Sequence, residues 1–486
     1  MASSLGAHAG ARRRALVTGA LAALLTGAAC SARDGGAREP TPAPRLGADD
    51  TAQLDDLQRR TFDFFWRTAN PQNGLVPDRY PTPSFSSIAA VGFALVAYGV
   101  GVERGYVTRE DARDRTLVTL RFFRDAPQGD AATGMTGYRG FYYHFLDLET
   151  GARFKDVELS TIDTALLLAG ALFAAEFFDG EDPREREVRE VAHTLLARAE
   201  WTWSSPRAPA VAMGWKPELG FLDHDWIGYD EAMILYLLAL ASPTYPVAPE
   251  AWPRWSSRYD ERWGTHWGQE HLSFPPMFGH QYSHLWVDFR GIADAYMRRR
   301  GLDYFENSRR ATLAQRAYAI ANPDGWRGYD ADIWGLTACD GPGDVELPYG
   351  GRVRTFRGYA ARGMASYDDG TLAPTAMLAS LPFAPELVLP GLRALRQRYG
   401  DAIYGAYGFF DAFNPSFTFA GQSASGRVVP DIGWVDVDYL GIDQGPILAM
   451  VENFRSGLVW RVMRQSAMLR VGLARAGFTG GWLEAK

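Results

Sequence analysis

The chain has 486 residues, 47% of them hydrophobic and 22% charged, a balance that excludes general disorder. Its 50 basic and 57 acidic residues give a formal charge of -7, which speaks against a nucleic-acid partner, because phosphate contact needs basic surface. Two cysteines, Cys30 and Cys339, cannot build a disulfide framework, and an aromatic share of 13%, including 15 Trp, calls for a large core or a ligand that stacks on rings.

The first thirty residues read as an export signal. Arg12, Arg13 and Arg14 form a basic region, Ala15 to Thr26 an apolar one too short to span a bilayer, and Gly27-Ala28-Ala29-Cys30 a small-residue cleavage zone. A cysteine directly after small residues resembles a bacterial lipobox, so residues 1–29 are expected to be removed and Cys30 lipidated, with simple cleavage after Ala29 as the alternative. The expected location is the periplasm or a bacterial membrane surface, the membrane being met only through that anchor. Residues 30–50, rich in Pro, Gly and Ala, read as a flexible tether, and residues 51–480 as the folded body.

An amphipathic helix over 52–68 opens the body. After it a helix apolar nearly all round is followed, six times, by a more charged one. The pairs are Ile88–Val100 with Thr108–Phe123, Ile162–Phe178 with Arg184–Trp201, and Asp230–Ala241 with a weaker partner near 250–263. Leu285–Arg299 with Asp303–Ala321, Leu372–Leu381 with Pro385–Tyr399, and Gln444–Phe454 with Gly457–Ala476 complete the series. A helix without a polar face must be surrounded, so six such hairpins predict an all-α toroid, an (α/α)6 barrel with an inner ring wrapped by an outer one. Although the length alone suggests about three domains, one closed ring accounts for the body. The stretches 203–229 and 322–370 are expected to be loops over the central funnel, some holding short β-hairpins.

In such a ring the segments entering the inner helices meet at one end. Five of those six segments carry carboxylates, among them Glu158, Asp163, Glu231 and Asp443. For a single Asp, helix capping is the commoner reason, and Ser160 or Thr161 is expected to cap its helix with Asp163 in the first turn. Glu is a poor cap, so Glu158 and Glu231 point to chemistry instead. Paired carboxyls suit glycoside hydrolysis, in which one protonates the leaving oxygen and the other activates water or attacks. Trp215, Trp226, Trp286, Trp326, Trp334 and Trp434 fall in expected loops or at helix mouths, where aromatic faces can hold sugar rings. There is no phosphate-binding Walker motif, no nucleophile elbow and no H-E-x-x-H. His280 and His284 are spaced i, i+4, and Asp340, Asp344 and Glu346 sit in one acidic turn, but neither set carries a full metal signature, so no metal and no cofactor is expected.

Five blocks also carry a resemblance: ELSTIDTALLLAG (158–170), QYSHLWVDFRG (281–291), IWGLTACDGP (333–342), DGTLAPTAMLASLPFAPE (369–386) and YLGIDQGPILAMVENFRSGLVW (439–460). Together they are similar to the glycoamylase-like domain, a family that includes the bacterial endo-β-1,2-glucanases of glycoside hydrolase family 144. The resemblance runs from about residue 55 to 476. It implies an (α/α)6 barrel and endo-cleavage of β-1,2-glucan to sophoro-oligosaccharides. Glu158, Glu231 and Asp443 fall in the blocks that hold the family's functional acids, with the acid at Glu158 or Glu231 and the base at Asp443. It further implies substrate contacts from His284, Trp286, Asp288, Arg290, Trp334, Asp340 and Gln444; Asp163, Trp215 and Trp226 join them from the reading of the loops. Three other readings stay open on the residues. They are a transglycosylase on the same glucan, a polysaccharide lyase using Tyr282 with His280 or His284, and a glycan-binding lipoprotein without turnover.

Overall fold

A computed structural model of the protein describes residues 46–484, all within one compact unit. The export signal, Cys30 and most of the tether lie outside the described residues. Among those described, no helix is long and apolar enough to cross a membrane.

Among the described residues fifteen α-helices follow one another: α1 (Ala48–Thr68), α2 (Ile88–Glu103), α3 (Arg109–Asp125), α4 (Thr161–Phe177), α5 (Pro183–Arg198), α6 (Met233–Ala241), α7 (Ala251–Trp255), α8 (Tyr282–Trp286), α9 (Ala295–Arg300), α10 (Tyr304–Ala321), α11 (Pro374–Leu378), α12 (Pro385–Tyr399), α13 (Gly441–Arg455), α14 (Leu458–Met463) and α15 (Ala467–Arg475). The even-numbered α2, α4, α6 and α8, together with α11 and α13, form the inner ring of the expected toroid. Neighbour touches neighbour from α2 through α4, α6 and α8 to α13, which also packs on α11 and back on α2. Outside them α1 covers α2 and α13, α3 and α5 cover α2 and α4, α15 covers α6 and α12 covers α11. The inner helices are buried on every side: all nine residues of α6 and fourteen consecutive residues of α2, Ile88 to Gly101, are out of water.

The tightest seam joins α2 to α4. A methyl group on Gly92 would lie 2.3 Å from the Leu166 carbonyl oxygen, and one on Gly170 would lie 2.3 Å from that of Gly92. Two glycines facing each other let the helix backbones touch, which a side chain on either would prevent. Ser87 caps α2 and Ser160 caps α4, each accepting a backbone N–H from the first turn. Both sit in two-residue strands, Ser86–Ser87 and Leu159–Ser160, and Tyr439–Leu440 leads into α13 in the same way.

Two stretches depart from the expected hairpins. The helix expected over Leu285–Arg299 stops at Trp286 and resumes at Ala295. Between them Asp288 is buried under Arg290 and Arg464, and Gly291 takes a positive φ of 73°. The segment after α13 is not its outer partner either. Gly457, at φ 70°, turns the chain inward, and α14 packs against α2, α4, α8 and α13 at the C-terminal ends of the ring. There it buries Leu458, Val459, Trp460 and Met463. α15 emerges on the far side against α6, so the helix that completes the ring outside α13 is α1.

Gly92→Val should lower the thermal midpoint strongly or prevent folding, since overpacking a tight seam costs about 3 kcal/mol or more where the backbones cannot part. Ser87→Ala, the loss of one cap, should cost about 1 kcal/mol. Thermal unfolding followed by circular dichroism checks the order; a Gly92→Val protein as stable as the parent would contradict the close approach.

Candidate active site

The N-terminal ends of the inner helices open onto a cavity of about 370 Å³. Its wall includes His144, Glu158, Asp163, Trp226, Glu231, Tyr282 and Tyr359, with Ile162, Leu166, Leu440 and Ile442 as apolar floor. A five-stranded antiparallel ribbon, in the order 137–138, 141–143, 159–160, 214–216 and 220–221, forms one rim. Its hydrogen bonding continues one step past the paired residues, as His144 N–H donates to the Glu158 carbonyl at 3.0 Å. That register sets the two side chains opposite each other. His144 Nδ1 meets Glu158 Oε1 at 2.8 Å, and its Nε2 lies 3.5 Å from Asp163 Oδ2.

The proton affinities of these groups diverge. Burial works against an imidazolium at His144, but Asp163 and Glu158 outweigh it and raise the ring to about 9. Burial raises Glu158, yet the hydrogen bond and charge of His144 bring it below the usual carboxylate range. Glu158 and His144 are thus an ion pair at neutral pH. Glu231 goes the other way: burial, then the negative charge of Asp230, push its carboxyl up to about 8. Asp230 is held beneath it, accepting Ala232 N–H at 2.9 Å and the Trp255 indole N–H at 3.0 Å. This turn delays the start of α6 to Met233 and leaves Glu231 free of the helix. Ser283 fixes it there, its hydroxyl donating to the Glu231 carbonyl and accepting Ile234 N–H.

Asp443 stands in the first turn of α13, one residue past the cavity-lining Ile442, and is 4% exposed. Its Oδ2 has no hydrogen-bond partner and its carboxyl lies in hydrogen-bonding reach of Asp411. Burial and the carboxylates Asp340, Asp78 and Asp436 push it up to about 7, against the closeness of the Asp411 carboxyl. Asp411 itself is pushed well above the carboxylate range by burial and by Asp443.

Of the sequence-derived candidates, Glu158, Asp163, Trp226 and Glu231 line the cavity and Asp443 adjoins it. Asp163 serves both readings: it faces His144, and its N–H is the one Ser160 caps. Trp226 is anchored by its indole N–H on the Thr161 hydroxyl at 3.0 Å. Asp340 lies beside the lining residue Cys339, paired with Arg79 at 2.6 Å, and Gln444 is fully buried with its amide on the Phe409 carbonyl.

Six candidates point elsewhere. Trp215 packs outside the cavity with Tyr138 and Trp203. Trp286 is fully buried against Phe93, and Trp334 is in the core under α10 to α12. His284 bonds the Ser308 hydroxyl among Phe289 and Phe383, and burial lowers it to about 3. Asp288 and Arg290 form their ion pair next to α14, Arg290 lying over the Trp460 ring at 4.4 Å. α8 is a little over one turn long: Tyr282 faces the cavity, Trp286 packs behind it on the same Phe93 ring, and Asp288 and Arg290 follow beside α14. Trp326 stacks on Tyr349 and Trp434 is buried with its N–H on the Ser425 carbonyl. His280 is buried as well, between Tyr229 and Phe274 N–H. Asp344 and Glu346 are exposed and do not join Asp340. His144, Arg79, Asp411 and Asp436 were invisible to the sequence reading; only the strand register and the meeting of distant loops brings them to the site.

Replacing His144 by Gln should raise the Glu158 titration and weaken the fold in a defined window. A depressed Glu contributes stability that is lost as pH falls through its folded value. A raised His contributes stability that is complete below its unfolded value, about 6.5, and lost as pH rises towards about 9. The stability difference between parent and His144→Gln, from denaturant unfolding, should peak between about pH 5 and 6.5 and shrink towards pH 9. A difference independent of pH would contradict the ion pair.

The comparisons with known proteins follow the same geometry. The family model described as "Putative glucoamylase" (Glycoamylase) matches residues 223–467. An exo β-1,2-glucooligosaccharide sophorohydrolase (non-reducing end) of Parabacteroides distasonis is 29% identical over 458 residues, 88% of this chain. The chain spans 58% of the length of that relative. Among solved structures, a glucoamylase-named protein of Bacteroides uniformis superposes with a TM-score of 0.78 at 32% identity, covering 90% of this chain and all of that one. The endo-β-1,2-glucanase of Chitinophaga pinensis, in complex with sophorotriose and glucose, does so with a TM-score of 0.76 at 27% identity, over 90% of this chain and all of that one. The chain belongs to the glycoamylase-like family.

Proposed function

We propose that the protein is a glycoside hydrolase that cuts β-1,2-glucan internally and releases sophoro-oligosaccharides. The observation that carries the reading is the split of proton affinities round one cavity: Glu231 keeps its proton at neutral pH while Glu158, paired with His144, has lost its own. Two carboxyls pushed apart in this way are what acid–base cleavage of a glycosidic bond needs. Glu231 donates its proton to the leaving oxygen. Asp443, with an unpartnered carboxylate oxygen, accepts a proton from the attacking water, directly or through a hydroxyl relay. Glu158 stays ionised and supports positive charge growing on the sugar ring, and Trp226 and Tyr282 offer aromatic faces to it. The β-1,2 linkage is supported by the names of the Parabacteroides and Chitinophaga relatives. Endo action is supported by the match to the whole solved chain of the Chitinophaga enzyme. Exo-release of sophorose is the second reading, favoured by the Parabacteroides relative. The burial of His280 and His284 away from the cavity counts against a lyase.

Glu231→Gln should cut turnover on linear β-1,2-glucan by about 10²–10⁴-fold. In the parent, activity should fall as pH rises through about 8, where Glu231 loses its proton. Asp230→Asn removes a negative charge that raises Glu231, so this alkaline limb should move to lower pH. Near-parental activity of Glu231→Gln would overturn the assignment. Chromatography of early products separates endo from exo: a ladder of lengths for the first, sophorose alone for the second.

We further propose that the chain is exported and lipid-anchored at Cys30, a reading supported by residues 12–30 alone. Labelled palmitate should be incorporated when the chain is expressed in a bacterium, and Cys30→Ala should abolish it; an unlabelled parent protein would refute the anchor.

A further inference from the structure

Beside the cavity, and outside the roles just assigned, three carboxylates from distant parts of the chain converge. Asp340 follows the strand Ala338–Cys339, Asp411 precedes Phe413–Asn414, and Asp436 follows Gly433–Val435. The last two are set side by side by the backbone, Asp436 N–H donating to the Ala412 carbonyl and Asp411 N–H to the Asp438 carbonyl, both at 2.9 Å. One oxygen of each carboxylate is held by the protein. Asp340 Oδ2 takes Arg79, Asp411 Oδ2 takes Asp340 N–H at 2.7 Å, and Asp436 Oδ1 takes Val437 N–H at 2.6 Å. The other oxygen of Asp436 has no partner, and Asp411 has, beyond Asp340 N–H, only the Asp443 carboxyl in reach, although Asp411 and Asp436 are only 1% and 2% exposed.

Unpaired carboxylate oxygens out of water are costly, and Arg79 answers only one of three charges, while the nearby Arg362 is engaged by Asp369. One ligand atom from each residue can be chosen so that all three lie within 4.8 Å of one another. Oxygens that share an ion at about 2.3–2.6 Å are at most about 5 Å apart, so the three lie close enough to share one cation. From this geometry we propose that Asp340, Asp411 and Asp436, three oxygen ligands, bind a hard divalent cation such as Ca²⁺ at the edge of the cavity. The acidic turn Asp340-Gly-Pro-Gly-Asp344-Val-Glu346 thus contributes one ligand, Asp340, and the other two come from the far side of the sequence. The site complements the hydrolytic reading without depending on it.

The test uses the full chain, stripped with a chelator and dialysed, then titrated with CaCl₂ alone. Calorimetry should give a saturable heat with one ion per chain, and the thermal midpoint should rise by about 2 °C or more at saturation. Asp436→Asn and Asp411→Asn should lose the heat and the shift, and the exposed Asp344→Asn should keep both. If CaCl₂ leaves the parent's midpoint and heat unchanged, or if Asp344→Asn abolishes the response while Asp436→Asn retains it, the site is refuted. Calcium binding by a parent protein that leaves β-1,2-glucan intact would uphold the site and refute the proposed activity instead.

Discussion

A helix with neighbours on all sides can carry a charge only where a partner answers it, and this constraint arranges everything else in the molecule. α2, α4 and α6 are apolar through their middles, so titratable groups are displaced to the helix ends, and the candidate acids of the site to where each helix begins. Six helices that begin at one end then bring those groups to one place. The short strands Leu159–Ser160 and Tyr439–Leu440 serve the same end, because they deliver each chain to its helix with backbone groups already paired and side chains free.

The gathering of acids in a space with little water explains their divergence. Glu158 finds a cation in His144, while Glu231 meets burial and another carboxylate in Asp230; the same residue type is therefore charged at one point of the cavity wall and neutral at another. The indole of Trp255 and the N–H of Ala232 keep Asp230 where its charge is felt. The aromatic excess of the composition has a corresponding structural share: Trp252, Trp255, Tyr259 and Tyr304 pack against one another, and Trp226 alone among the tryptophans lines the cavity among the described residues.

Much of the architecture was legible in the residues. The apolar runs 88–100 and 162–178 could only be surrounded helices, and they are. What periodicity could not reveal was direction: nothing in Leu458-Val-Trp-Arg-Val-Met463 says that it turns under the ring instead of lying along it, which depends on Gly457 and on the space left at the C-terminal ends. The site was legible where a glutamate stood at a helix mouth, as at 158 and 231. It was illegible where one motif ran from the cavity wall into the packing behind it. The block 281–291 contains Tyr282, which faces the cavity, and Trp286, Asp288 and Arg290, which serve packing behind it and beside α14; one run of residues held two jobs. His144 had no sequence signal, because its partner was chosen by strand register.

The closure of the ring by α1 has a consequence for how the barrel is made. Gln58 on α1 donates to Glu452 on α13 across 394 positions of sequence, and Arg104 at the end of α2 reaches the same carboxylate from 348 positions away. Glu452 is fully buried, so these partners are obligatory. Helices form locally and early, but the seam between first and last can be sewn only when residue 452 has left the ribosome. Until then a growing chain holds most of its apolar helices without the neighbours that hide them. The barrel is a structure only the finished polypeptide can complete, and the burden of keeping the unfinished one soluble falls on whatever accompanies it.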